Sequence, residues 1–136
     1  MDCIFCKIIN EEIPADKVFE NDKVVAFLDI RPINPGHTLI IPKKHVESLF
    51  EVDEETLKEI MLTAQKVAKG IIIALGLQGF NFTQNHGAVA GQIVPHLHWH
   101  IIPRKENDGL QPWDRKVEYK EGEKEKVAEK IKREII

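Results

Sequence analysis

The segment His96-Leu97-His98-Trp99-His100-Ile101 alternates imidazole and apolar side chains without a break. An alternation of period two marks a β-strand, because successive side chains there leave on opposite faces. A helix would scatter the three imidazoles around its circumference. A strand gathers His96, His98 and His100 on one face and turns Leu97, Trp99 and Ile101 toward a core, and the Pro103 that follows favours a strand. Three adjacent imidazoles are poor core material, since each brings ring nitrogens that need partners when buried. Half of the chain's six histidines sit here. The face reads as a metal site, a nucleophile with helpers, or both; the bland alternative is the polar face of an exposed strand.

The rest of the chain supplies a sheet for that strand. Val18 to Glu20 and Lys23 to Leu28 are strand-like and joined by Asn21-Asp22, a dipeptide suited to a tight hairpin. Pro32, Asn34, Pro35 and Gly36 form a loop, and His37 to Ile41 is β-rich up to Pro42. Asp53 is a helix N-cap, with a helix from Glu54 to about Leu75 and Gly76 at its end. Leu57, Ile60, Met61, Ala64, Val67 and Ala68 give that helix an apolar stripe. Gly79 to Gln84 reads as a strand and Asn85 to Gly91 as a small-residue loop. The tail from Gly122 to Ile136 is helical, with Val127, Ile131 and Ile135 four apart. About five strands, connected as hairpins or through one long helix, give an α+β fold with an antiparallel sheet and a C-terminal helix.

The 136 residues make one domain, 1–136, with no repeat or linker to split it. The formal net charge of -3 gives no reason to expect nucleic acid or an anionic membrane as a partner. Met1 is followed by Asp2 rather than a basic and then apolar run, and Ile71 to Leu75 is far too short to span a bilayer, so the expected location is the cytoplasm. Two cysteines in a cytosolic chain are not expected to form a structural disulfide. Their spacing, Cys3-x-x-Cys6, points to metal or redox chemistry. A thioredoxin-type motif should follow a strand and open a helix in a βαβ unit, which this N-terminus lacks. Zinc fits better, with two histidines completing a four-ligand site. His37, His45, His86, His96, His98 and His100 are all eligible, and spacing does not choose between them; free buried cysteines are the plain alternative.

The histidine segment fits the pattern His-φ-His-φ-His-φ-φ, with φ apolar, and the chain resembles the histidine triad (HIT) superfamily of nucleotide hydrolases and transferases. Ala26 to Ile30, then Pro35-Gly36-His37 through Lys44-His45, then Asn85 with Gly91-Gln92, resemble that family in the same order. Cys3 to Ile9 is similar to the N-terminus of its prokaryotic members. The resemblance covers roughly residues 1–105 and leaves 106–136 as a branch-specific C-terminal extension of a HIT-like domain.

The resemblance implies an enzyme that cleaves at the α-phosphate of a purine nucleoside phosphoramidate or a dinucleoside polyphosphate. The middle histidine, His98, would be the nucleophile and form a covalent nucleotidyl-histidine; a neutral imidazole is competent for this at cytosolic pH. Its other nitrogen would donate to a backbone carbonyl on the same strand. His100 would contact phosphate oxygens and assist the leaving group. Gly91, Gln92 and Asn85 would line the phosphate, and Asp29 would accept from ribose hydroxyls. Structural zinc would be held by Cys3, Cys6, His45 and His96. Family members are typically homodimers, so a homodimer is expected here. One departure stands out: some branches carry Ser or Thr after the Gly-Gln pair, where this chain has Ile93, which cannot donate from its side chain. His37 lies near the site in some relatives, where it would either orient the nucleophile or satisfy the loop, and the resemblance assigns no clear role to His86. Two rival readings are a nucleotide-binding regulator with incidental turnover and a three-histidine metallohydrolase.

Overall fold

The computed structural model describes residues 2–110 and 117–135. In chain order these form α1 (Ile4–Ile9), β1 (Lys17–Glu20), β2 (Val24–Leu28), β3 (Thr38–Pro42), α2 (Glu54–Leu75), β4 (Gly79–Gln84), a short 3-10 turn (Ala88–Ala90), β5 (Trp99–Arg104) and α3 (Glu123–Glu134). The five strands make one antiparallel sheet in the order β1-β2-β3-β5-β4. The chain divides into two compact units at Glu106/Asn107. The first holds the sheet, α1 and α2. The second holds α3, an exposed helix whose Val127 and Ile131 lie four apart as expected; Ile136, the end of the expected tail helix, lies outside the described residues.

The sheet is covered on both faces, and the strands sort their side chains accordingly. Val24 and Ala26 of β2 join Ile40, Leu97, Trp99 and Ile101 against Ile60, Ala64, Val67 and Ala68 of α2. Val25 and Phe27, with Leu39 and Ile41, pack on the opposite side with Phe5 and Ile8 of α1. The period of two is therefore visible as two separate cores.

Local signals explain the main elements. The Asn21 carboxamide oxygen accepts from the N–H groups of Lys23 and Val24, both at 2.9 Å, and shapes the β1–β2 hairpin. Its amide nitrogen donates to Glu59 at 2.7 Å and ties that hairpin to α2. Asp53 caps α2 by accepting from Thr56 N–H at 3.0 Å, and Gly76 ends it with φ of 64°.

Three details differ from what the sequence pattern predicts. First, strand pairing of the histidine segment begins only at Trp99; His96 lies in a bend and His98 in the unpaired residues between that bend and the strand. The reason is competition for the backbone: Leu97 N–H donates to Val46 O at 2.8 Å and His96 N–H to Val94 O at 2.9 Å, so neither joins the ladder. The alternation survives, with Leu97 still in the core against α2. Second, Met61 is 51% exposed rather than part of the buried stripe, and Thr56 and Thr63 are buried instead. Third, residues Ile4–Ile9 form a helix that the sequence pattern does not announce; Cys3 caps it, its Sγ accepting from Cys6 N–H at 3.4 Å.

Candidate active site and metal cluster

β5 and its lead-in carry all three histidines onto the α1 side of the sheet. The Phe5 ring sits edge-on to His96 and His98, with centroids 5.8 and 5.1 Å away. From this shared face the imidazoles diverge into two groups.

His96 turns toward the N-terminus. Its Nδ1 lies 3.4 Å from Cys3 Sγ, 3.7 Å from Cys6 Sγ and 3.2 Å from His45 Nδ1, and Cys6 Sγ lies 3.3 Å from His45 Nδ1. All four ligand atoms fall within 4.8 Å of one another, and both cysteines are free thiols. A tetrahedral zinc, with bonds of about 2.0–2.1 Å to nitrogen and about 2.3 Å to sulfur, sets edges of about 3.3 Å between nitrogens and about 3.5 Å between nitrogen and sulfur. The observed spacings match those edges. His96 is also oriented as a metal ligand. Its Nε2 faces the Pro42 carbonyl at 2.8 Å, so Nε2 carries the proton and Nδ1 keeps its lone pair for a metal. Burial, then the neighbouring Cys3 thiol, raise the pKa of the Cys6 thiol, a cost that a bound cation offsets by holding the thiolate form. The two cysteines meet histidines 39 to 93 positions away in the chain, a pairing only the fold can make.

His98 is 7% exposed and its Nδ1 lies 2.7 Å from the carbonyl oxygen of His96. The carbonyl can only accept, so Nδ1 carries the proton and Nε2 holds an in-plane lone pair. Burial lowers the pKa of His98, opposed by that hydrogen bond and by the charge of Asp29. The ring is therefore neutral and basic at one defined nitrogen. His100 stands beside it with ring centroids 5.0 Å apart. Its pKa is pushed down to about 4, first by burial and then by His98 and His37.

Asp29 and His37 complete this group. Asp29 follows β2; its Oδ1 accepts from Arg31 N–H at 2.8 Å, and its own N–H donates to His37 O at 2.9 Å. Its Oδ2 lies 3.7 Å from His37 Nε2. His37 is 2% exposed and its Nε2 is 2.9 Å from His100 Nδ1. Leu39 is the Cα partner of His100, so His37, two residues earlier, is a diagonal neighbour on the same face. Gly36 is required just before it: φ is +92°, and a Cβ there would lie 2.6 Å from Leu75 Cδ1 at the end of α2.

The loop after β4 supplies the remaining predicted residues. Gln84 pairs with Trp99, which brings Asn85 level with His98 at the end of the sheet. Gly91 has φ of +94°, and a Cβ there would press on Asn85 Nδ2 at 3.4 Å. Gln92 is occupied internally. Its Oε1 accepts from Gly87 N–H at 2.9 Å, and its Nε2 donates to Glu47 O at 3.0 Å and Val94 O at 3.2 Å. Both amide hydrogens are used, so the side chain braces the loop. Among the described residues, the N–H groups of Ile93 and Val94 meet no acceptor. Ile93 is 91% exposed, and the exposed His86 packs on Phe50 with centroids 5.0 Å apart.

The HIT domain family matches residues 10–107. The chain is 51% identical over 107 residues to an uncharacterized HIT-like protein of Methanocaldococcus jannaschii, covering 79% of this chain and 82% of that one. It is 43% identical over 104 residues to an adenosine 5′-monophosphoramidase of Schizosaccharomyces pombe, covering 76% and 75%. A crystal structure of a HIT family member from Bacillus subtilis superposes with a TM-score of 0.93 at 38% identity, covering all of this chain and 99% of the other.

Proposed function

Because the chain belongs to the HIT family, we propose that it is a nucleotide-binding hydrolase or transferase that cleaves at the α-phosphate of a purine nucleoside phosphoramidate or a dinucleoside polyphosphate. The observation that carries this reading is the pair His98 and His100: a buried and a half-buried imidazole side by side on one face, both with pKa lowered by burial and the first with a fixed lone pair. The monophosphoramidase name of the yeast relative favours an amine leaving group.

In this reading Nε2 of His98 attacks the α-phosphorus. The bond from phosphorus to the leaving atom breaks, and its electron pair goes with the leaving group. Water then attacks the nucleotidyl-histidine and returns His98 neutral. The leaving group takes a proton from solvent as it departs, and the water that attacks in the second step gives one back, so the two steps balance with His98 and His100 returned unchanged. Splitting one displacement into two is the advantage of covalent catalysis. The His96 carbonyl stabilises the Nδ1–H as positive charge develops on His98. His100 hydrogen-bonds the phosphate or leaving atom. Asp29 Oδ2 accepts from the ribose hydroxyls. Asn85 and the N–H groups of Ile93 and Val94 receive the α-phosphate, Gly91, whose own N–H is held by Ala88 O at 3.0 Å, lets the backbone come close, and Gln92 holds that loop in shape; a backbone donor at Ile93 replaces the missing hydroxyl.

Cys3, Cys6, His45 and His96 would hold structural zinc. Four protein ligands leave no open position, so the metal supplies rigidity and not an activated water. A homodimer is supported by the α2 and β4 surface. Met61, Leu62 and Phe80 are 51, 52 and 42% exposed, and with Phe82 they line a groove of about 410 Å³ beside the edge strand β4. No helix among the described residues is long and apolar enough to cross a membrane, and the free thiols suit a reducing cytoplasm.

The test is a panel of adenosine and guanosine 5′-phosphoramidates and diadenosine polyphosphates, with products identified by mass. Release of a nucleoside monophosphate supports the reading. Binding without turnover across the panel would leave a regulator instead.

A further inference from the structure

The hydrogen bond between His37 and His100 has a direction. Two neutral imidazoles joined nitrogen to nitrogen can carry the shared proton on either ring. Here the backbone breaks the symmetry. The N–H of Ile33 lies 3.0 Å from Nδ1 of His37. An amide N–H only donates, so that Nδ1 accepts. Burial keeps the His37 ring neutral by lowering its pKa, and its single proton is on Nε2. That proton faces Nδ1 of His100 at 2.9 Å, which must accept in turn. The proton of His100 is left on Nε2.

We propose that His37 is a positioning residue that fixes the tautomer of His100, through a one-way chain starting at the Ile33 N–H, so that His100 offers the substrate a hydrogen-bond donor while adjacent His98 offers a lone pair. This rests on the roles proposed for His98 and His100 in catalysis. The two neighbours are wired oppositely. His98 spends its Nδ1–H on the His96 carbonyl, and His100 has its Nδ1 lone pair filled by His37. Without the lock, the alternative tautomer of His100 would aim a lone pair at phosphate oxygens, which repels. The proton stays on His100 throughout; it stabilises negative charge by hydrogen bonding, as preorganised donors do.

The same chain decides against a cation at Asp29, His37 and His100, whose ligand atoms also cluster. A metal on His37 Nε2 would need that nitrogen's lone pair. With Ile33 donating to Nδ1, the ring would have to become an imidazolate. The Asp29 carboxylate, 3.7 Å from Nε2, instead favours the proton there.

The direct experiment is two-bond ¹H–¹⁵N correlation of histidine side chains in the zinc-loaded full chain at neutral pH. The expected spectrum has His37 and His100 protonated at Nε2 and His98 at Nδ1. A His100 protonated at Nδ1, or charged, overturns the proposal. Two variants extend the test, with adenosine 5′-phosphoramidate as substrate. His37→Leu removes the donor and should lower kcat by about a hundredfold, the scale for losing one preorganised donor, with KM little changed and His100 in a mixture of tautomers. His37→Gln places an amide N–H near the lost Nε2 and should restore much of kcat. A folded His37→Leu protein with full kcat and an unchanged His100 tautomer also overturns it. If His37→Leu does not fold, the wild-type spectrum and His37→Gln still decide. The spectrum needs no substrate, so it stands apart from the choice of reaction; absence of turnover in the wild type would instead defeat the functional reading.

Discussion

The main-chain carbonyl of His96 accepts the side-chain Nδ1–H of His98 at 2.7 Å, while the His96 ring points away into the cysteine cluster. One residue thus serves two centres, its imidazole for the sulfurs and its peptide group for the His98 ring. The two uses are separable by mutation, because the carbonyl belongs to the backbone and survives a change of side chain elsewhere in the cluster.

His98→Ala should abolish turnover, by about a thousandfold or more, since covalent catalysis disappears with its attacking group. Nucleotide binding, zinc content and melting temperature should stay near wild type. Steady-state kinetics on a phosphoramidate, with zinc counted per chain, checks this. Retention of a tenth of wild-type turnover would assign the attack to another group.

Cys3→Ser should show the opposite pattern. Zinc held by Cys3, Cys6, His45 and His96 would occupy a site absent from the unfolded chain, so its binding free energy would add to folding. The variant should lose zinc and melt at lower temperature, yet keep appreciable activity in the cold, where Trp99 and Ile101 still hold β5 in the core beneath α2. Metal analysis and thermal melts decide it. Unchanged zinc and melting would remove Cys3 from the ligand set.

Asp29→Ala should weaken binding of ribonucleotides far more than of 2′,3′-dideoxy analogues. Hydrogen bonds to a charged acceptor contribute about 1.5–3 kcal/mol, or roughly tenfold to a hundredfold in Kd. Titration calorimetry with both ligand types separates the cases. Equal weakening would give Asp29 a structural role, through its bonds to Arg31 and His37.

Acid should destabilise the fold through His100 in a defined window. Its pKa falls from 6.5 to about 4 on folding. Between those values the unfolded chain binds a proton that the folded one does not. Stability is therefore full above about 6.5 and is lost as pH falls toward 4. His100→Gln should flatten this part of the melting-temperature profile while leaving the loss carried by His37, His96 and His98, whose pKa values burial also lowers. A profile of the same slope in both proteins would show that another group carries the acid sensitivity.

The parts of this architecture legible in the sequence are those written in local periodicity. Alternation at 96–101 places Leu97, Trp99 and Ile101 in one core, and Asp53 with Gly76 bounds α2. Helix α1 escapes because six residues give no helical period to read, and its cap is a cysteine whose spacing suggests a metal. Met61 falls close enough to the apolar stripe to count by spacing, but the packing decides which flank is covered. Long-range partners are out of reach for a different reason. His37 and His100 are 63 positions apart, and nothing in either segment alone names the other. The internal use of Gln92 is equally hidden, because its acceptors are backbone carbonyls, which carry no sequence signature.

The alternation has a consequence for folding fidelity. A slip of β5 by one residue against β3 would reverse the facing of every side chain in the segment. Three imidazoles would then lie beneath α2, and Leu97, Trp99 and Ile101 would leave their core. Such an isomer would leave buried ring nitrogens unpaired and apolar area in water, so it is heavily disfavoured. Purified, cooperatively melting protein should accordingly be uniformly competent by active-site titration. Errors in assembly should leave the folded pool as aggregate or degraded chain and should not persist as a silent inactive fraction.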